Sequence, residues 1–190
     1  MNGPDRTPYR QVLQASLLAT PVDTGLASDP NRSLLASIVA GQAAGFGCLP
    51  AQLGLDAEAY RQLLATYFSG EMPAATDRPR IDIPEWEDLH KLLIDERAQR
   101  SVAEEWIAVI VATACAGSDH LWQDLGLINR NELSQLMTVN FPGLAQANTG
   151  DMKWKKFLYR QVCSREGIYV CPAPSCGVCT DFAKCFGPEN

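Results

Sequence analysis

Apolar residues recur along this chain at intervals of three and four, the spacing that places one face of a helix against a core. Pro8 to Ala19 carries Tyr9, Val12, Leu13 and Leu17 on one face. Asn31 to Ala44 opens on a polar cap and carries Leu34, Leu35, Ile38 and Val39. Asp56 is placed to cap a helix running to about Phe68, with Tyr60, Leu63, Leu64 and Tyr67 at i, i+3, i+4 and i+7. Gly70 to Pro84 has three prolines and no pattern, and reads as the longest loop. From Pro84 to about Arg97, Trp86, Leu89, Leu92 and Leu93 restore the helical stripe. Ser101 and Glu104 have capping-box spacing ahead of a segment that is apolar on nearly every side through Cys115, the pattern of a central core helix.

Asn129 and Glu132 repeat the capping-box spacing before Leu133, Leu136 and Met137, and Pro142 stops that helix. Met152 to about Arg165 forms the last long helix, its inner stripe Trp154, Phe157, Leu158, Gln161 and Val162, and Gly167 is placed to end it. Pro172 and Pro174 forbid regular helix beyond that point. The expectation is an all-α helical bundle forming a single domain over 1–190. Residues 151–190 then comprise a basic helix and an irregular, cysteine-rich C-terminal segment.

At 190 residues and 46% hydrophobic, the chain is long enough to build a core without disulfides or metal. Met1 to Arg10 lacks the apolar stretch of a signal peptide, and Trp106 to Ala116 is too short to span a bilayer, which takes about 20 apolar residues. A cytoplasmic location away from membranes is expected. Thiols stay reduced there, so seven cysteines do not read as a disulfide framework. Cys48 and Cys115, in small-residue apolar segments, read as buried packing groups. The net charge of −6 argues against nucleic acid as partner. Yet residues 151–170 hold five basic residues against two acidic ones, and a basic patch of this kind suits an anionic neighbour.

The chemistry concentrates at the end, in Cys171-x4-Cys176-x2-Cys179-x5-Cys185. Thiolates select zinc, copper(I) or iron–sulfur centres over hard cations. Zinc knuckles usually bring two C-x2-C pairs, and only one is present. Cluster proteins use compact runs with short, unequal gaps, and the first three cysteines repeat the C-x4-C-x2-C spacing. The spacing agrees better with a cluster than with zinc, and leaves both open. No nucleophile–base arrangement appears, since the two histidines are far apart in sequence, and Gly41, Gly45 and Gly47 lack the Lys-Ser/Thr of a phosphate loop. An enzyme is not expected.

The run Asp151-Met152-Lys153-Trp154-Lys155-Lys156-Phe157-Leu158-Tyr159-Arg160, the four cysteines with Phe186-Gly187-Pro188 behind them, and the upstream stretch Asp119-His120-Leu121-Trp122-Gln123-Asp124-Leu125-Gly126-Leu127 together resemble the NifQ family. That resemblance implies a nitrogen-fixation accessory protein, a metallochaperone that supplies molybdenum for biosynthesis of the nitrogenase iron–molybdenum cofactor. The molybdenum would be carried in a molybdenum–iron–sulfur cluster or formed on a [4Fe-4S] precursor. The implied recipients are the cofactor-assembly scaffold and the nitrogenase iron protein.

Cys171, Cys176, Cys179 and Cys185 match the family's cysteine motif one for one and are the expected metal ligands. His120 and Cys163 are candidate additional ligands, against roles in helix capping and packing. Asp119 and Asp151 read as caps with a lesser claim as oxygen ligands, and His90 reads as a surface or interface residue. Lys153, Lys156, Arg160 and Arg165 are the expected anion-binding and partner-docking groups, drawing in molybdate. Two rival functions share the same residues: a small iron–sulfur electron-transfer protein and a zinc-stapled interaction module.

Overall fold

The structure, a computed structural model, describes residues 5–19 and 24–165. The expected stop at Gly167 and all four C-terminal cysteines lie outside these residues. The described residues are helical with no strand: α1 (Thr7–Ala19), α2 (Thr24–Ala27), α3 (Pro30–Ala43), α4 (Ala57–Tyr67), α5 (Trp86–Asp95), α6 (Ala103–Ala114), α7 (Leu121–Asp124), α8 (Arg130–Asn140), α9 (Pro142–Ala147) and α10 (Trp154–Arg165). None of these helices is long and apolar enough to cross a membrane.

Helix starts follow local chemistry. Asp56 accepts from the Ala59 N–H at 2.8 Å and Asn129 from the Glu132 N–H at 3.1 Å, as their positions predict. The cap of α3 is Asp29 rather than Asn31. Asp29 accepts from the Asn31 N–H at 2.9 Å with Pro30 in the first turn, while the Asn31 side chain turns inward and exchanges hydrogen bonds of 3.0 and 2.8 Å with Asn140 of α8. Pro142 does end α8, and it also opens α9. Before α6, the Glu104 carboxylate folds back to accept from the N–H groups of Gln99, Arg100 and Ser101 at 2.6, 2.8 and 3.2 Å. Three charge-assisted bonds satisfy a carboxylate that is only 2% exposed.

Two helices form the centre. α6 buries ten of its residues, Ala103 to Ala114, as its all-round apolar pattern predicts, and α3 is buried from Asn31 to Gln42 apart from Ser33. α5 packs on α6, α1 and α8 on α3, and α10 on α5. α1 differs from expectation: Tyr9 and Val12 are exposed, and the inner face is Arg10 and Leu17 with Leu13 beside them. Leu13 and Leu17 face inward as expected, while the position that completes the stripe holds an arginine in place of Tyr9 and Val12. Arg10 is taken in with one end of its guanidinium bonded, while its buried Nε has no hydrogen-bond partner among the described residues. The guanidinium donates to the Gly126 carbonyl at 2.5 Å and to Ser37 Oγ at 3.2 Å, and lies 5.3 Å from the Phe46 ring centre.

α3 meets the turn after α7 at Gly41, where a Cβ would collide with the carbonyl oxygen of Gly126. The Gly41→Ala variant is expected to lose about 1–3 kcal/mol of stability. Alanine's better helix propensity, about 1 kcal/mol, does not offset a clash with main chain. A urea midpoint at or above that of the parent protein would contradict this close approach.

Candidate functional site

What the structure describes of the expected metal centre is the frame that leads to it. α10 presents Trp154, Phe157, Leu158 and Val162 to the core, with Trp154 and Phe157 edge to face at 5.7 Å. At its last turn, Arg165 donates to Asp95 Oδ2 at 3.1 Å and to Glu96 Oε1 at 2.5 Å, the two carboxylates at the end of α5. Apolar packing and this ion pair fix the position of the last turn of α10.

The four predicted basic residues therefore differ in situation. Arg165 is engaged by two carboxylates; Lys153 is half-buried; Lys156 and Arg160 are exposed.

The most heavily built polar cluster lies under the start of α10. Lys155 donates to the Gly117 carbonyl at 2.8 Å and forms a short ion pair with Asp124 Oδ2. Asp124 is 3% exposed and also accepts from the Asp119 N–H at 3.0 Å, while its own carbonyl accepts from the Cys48 N–H at 2.9 Å. Gly117 makes the room, since a Cβ there would strike the Asp124 carboxylate.

Both body cysteines border this pair. Burial raises the Cys48 thiol to about 11, Asp124's charge adding to the effect and Lys155 and Arg78 opposing it. Burial raises Cys115 to about 12, again opposed by Lys155. Burial likewise raises the Tyr159 phenol to about 12. Thiols held this high remain protonated at neutral pH and are poor ligands and nucleophiles. Cys115 is a core group, as expected; Cys48 is half-buried, its Sγ facing the Ala114 carbonyl at 3.7 Å.

The other candidates occupy separate positions. His120 is the residue before α7, and its N–H donates to Gln123 Oε1 at 3.1 Å. Cys163 is half-buried on α10. His90 stacks on Trp86 at 5.0 Å, and burial holds its imidazole below the usual histidine range. Trp86 is fixed by its N–H to Thr113 Oγ1 at 3.2 Å. Asp151 does not cap α10; it pairs with Arg130 at 2.9 Å. Asp119 contributes its N–H to Asp124 rather than a side-chain cap. Among the described residues, no three His, Cys, Asp or Glu side chains are grouped to hold a metal ion.

Lys155 and Asp124 escaped the reading of the sequence. One signal was available for each. Lys155 aligns with Tyr159 and Val162 at i, i+4 and i+7, a stripe beside the buried face, whereas Lys156 does not. Asp124 sits inside Leu121-Trp122-Gln123-Asp124-Leu125, where a carboxylate in a largely apolar stretch calls for a partner once buried.

The sequence pattern of the NifQ family matches residues 34–187, a span that includes the positions of all four C-terminal cysteines. The chain is 42% identical to Protein NifQ of Azotobacter vinelandii over 174 residues, 84% of this chain and 89% of that protein. It is 37% identical to Protein NifQ of Rhodobacter capsulatus over 148 residues, 77% and 82% of the two chains. Protein NifQ of Klebsiella pneumoniae is 46% identical over 81 residues, 42% of this chain and 48% of that one. No solved structure matches.

Proposed function

The chain belongs to the NifQ family, and from that premise we propose that it is a nitrogen-fixation accessory protein that binds molybdenum within a molybdenum–iron–sulfur cluster and donates it for assembly of the nitrogenase iron–molybdenum cofactor. The observation that carries this reading is the four-cysteine run at 171–185 inside the matched span. Four thiolates form a donor set suited to iron, sulfide-bridged clusters and soft, sulfur-bound molybdenum, and unsuited to hard cations. The high thiol pKa values of Cys48 and Cys115 support a division between packing and ligating cysteines, because they set these two apart from the C-terminal four and from the additional candidate Cys163.

The metal is cargo, so the protein is a carrier rather than an enzyme, acting in the cytoplasm. Its cargo passes directly to the cofactor-assembly scaffold and the nitrogenase iron protein. Lys156 and Arg160, exposed on the helix that precedes the cysteine segment in the chain, are the groups of the four best placed to meet an anionic partner surface. Lys153 is less accessible, and Arg165 serves chiefly to anchor the helix to α5.

Anaerobic purification followed by metal and acid-labile sulfide analysis tests the reading. Iron, sulfide and molybdenum together are expected. Iron and sulfide without molybdenum, from cells supplied with molybdate, would favour an electron-transfer protein. One zinc per chain in a colourless sample would favour a stapled interaction module.

A further inference from the structure

A second cationic feature lies at the turn that follows α3. The guanidiniums of Arg6 and Arg78 converge on this turn from segments far apart in sequence. Arg6 Nη1 donates to the Ala44 carbonyl at 3.5 Å, Arg78 Nη1 to the Phe46 carbonyl at 3.3 Å, and Arg78 Nη2 to the Gly45 carbonyl in a short bond. Gly45 adopts a φ of +82° and carries no Cβ. A Cβ there would collide with Arg6 Nη1 and lie 3.8 Å from Arg78 Nη2, so the two guanidiniums are neighbours across the bare glycine.

Their placement is built into the fold. Arg6 stands at the first turn of α1, where Asp5 caps through the Thr7 N–H at 2.9 Å. Arg78 belongs to the long irregular segment, which is clamped to the end of α3 next to it. The Gln42 side chain donates to the Thr76 carbonyl at 2.6 Å and accepts from the Thr76 N–H at 3.2 Å, and Thr76 Oγ1 donates to the Ala43 carbonyl at 3.1 Å.

The charge here is not balanced by an ion pair among the described residues. The partners of Arg6 and Arg78 are neutral carbonyls at the C-terminal end of α3. A helix C-terminus supplies only about half a negative charge against two full positive ones. The flanking carboxylates are spoken for or directed elsewhere: Asp5 caps α1, and Asp77 is exposed and unpaired with Arg78. The nearby Arg10 is buried and has Glu132 as its electrostatic partner, so it does not share this deficit. Each guanidinium presents five N–H donors in a planar fork, and the main-chain bonds use one on Arg6 and two on Arg78.

We propose that Arg6 and Arg78 form a docking site for a dianionic tetrahedral oxoanion, held by paired guanidinium forks over the Gly45 turn. Two neighbouring positive charges with spare in-plane donors match the charge and acceptor-only chemistry of such an ion. Its assignment to molybdate rests on the molybdenum-donor reading above. The site lies on the body of the protein, and its binding is separable from metal held at the cysteines.

Equilibrium dialysis of the full-length chain against sodium molybdate at low ionic strength tests the proposal, with Arg6→Gln, the Arg6→Gln/Arg78→Gln double variant and Cys176→Ala as comparisons. Arg6 is exposed and its one bond is long, so Arg6→Gln is expected to keep the parent melting temperature while weakening molybdate binding by about tenfold, the loss of a charge-assisted contact. The double variant is expected to lose binding, the Cys176→Ala protein to retain it, and added salt to weaken it. Binding unchanged in the arginine variants, or no binding by the parent, overturns the site. Binding lost only in Cys176→Ala also overturns it, and leaves the donor reading intact. Sulfate or phosphate competing as strongly as molybdate overturns the assignment to molybdate.

Discussion

Alanine at Cys176 or Cys179 is expected to leave the anaerobically purified protein with no more than about a tenth of the parent's iron, sulfide and molybdenum. The estimate is conservative, since changing a group that merely supports a metal ligand costs about 10- to 100-fold in metal affinity. These two cysteines form the C-x2-C centre of the run, with Cys171 and Cys185 on either side, so losing either leaves one thiolate where a pair should close on the same centre. The helical body should not be affected. Its core, from Leu17 to Val162, is assembled from residues outside the cysteine segment, so far-ultraviolet circular dichroism of the variant should match that of the parent. Cys48→Ser is the control. Its thiol, raised to about 11, is protonated at neutral pH, and metal content should survive its replacement. Full metal in the Cys176 and Cys179 variants, or its loss in Cys48→Ser, would contradict the division between ligating and packing cysteines.

Asp124→Ala is expected to lower the stability of the protein by about 3–5 kcal/mol, the penalty for leaving the other member of a buried ion pair uncompensated. The magnitude follows from the surroundings. Lys155 Nζ is held under α10 between Asp124 and the Gly117 carbonyl, its side chain 17% exposed, and water reaches it poorly. The Asp119 N–H loses its acceptor in the same change. Lys155→Met in the Asp124→Ala background removes the stranded charge and should recover part of the loss, so the double variant should be more stable than the sum of the two single changes implies. Urea denaturation followed by circular dichroism measures all three. A single-variant loss below about 1 kcal/mol, the range of an exposed pair, would show that this pair is solvated. The pair also fastens the first turn of α10, whose far end leads to the cysteines. Asp124→Ala should therefore lower metal content at temperatures where the parent is fully loaded.

How much was legible in the sequence depended on the length of each element and on what its buried face carried. α4, α5, α6, α8 and α10 announced themselves because each repeats apolar side chains over two or more turns, and Asp56 and Asn129 cap where their positions predict. α2, α7 and α9 are four to six residues long, too short for any period to show, and are held by the helices around them. The inner face of α1 was placed correctly at Leu13 and Leu17 but wrongly at Tyr9 and Val12, because periodicity counts apolar residues and Arg10 is buried there beside Leu17. The same blindness hid Lys155 and Asp124, charges whose burial depends on partners distant in the chain, whereas Glu104, placed by its capping-box spacing, does accept from the Ser101 N–H and gathers two further main-chain donors besides. The paired Arg6 and Arg78 were invisible for that reason as well, since 72 positions separate them along the chain. The cysteine run lies outside the described residues, and the expectation of a metal centre there rests on its spacing, with all four cysteines within one short segment.

The central claim is that the C-terminal thiolates hold molybdenum in a sulfur- and iron-containing environment. X-ray absorption at the molybdenum edge, on protein isolated anaerobically from molybdate-supplied cells, tests it most directly. Sulfur neighbours in the first shell with iron beyond them, both absent from the Cys176→Ala protein, are the expected result. Molybdenum surrounded by oxygen alone, or the same sulfur and iron shells persisting in Cys176→Ala, would contradict it.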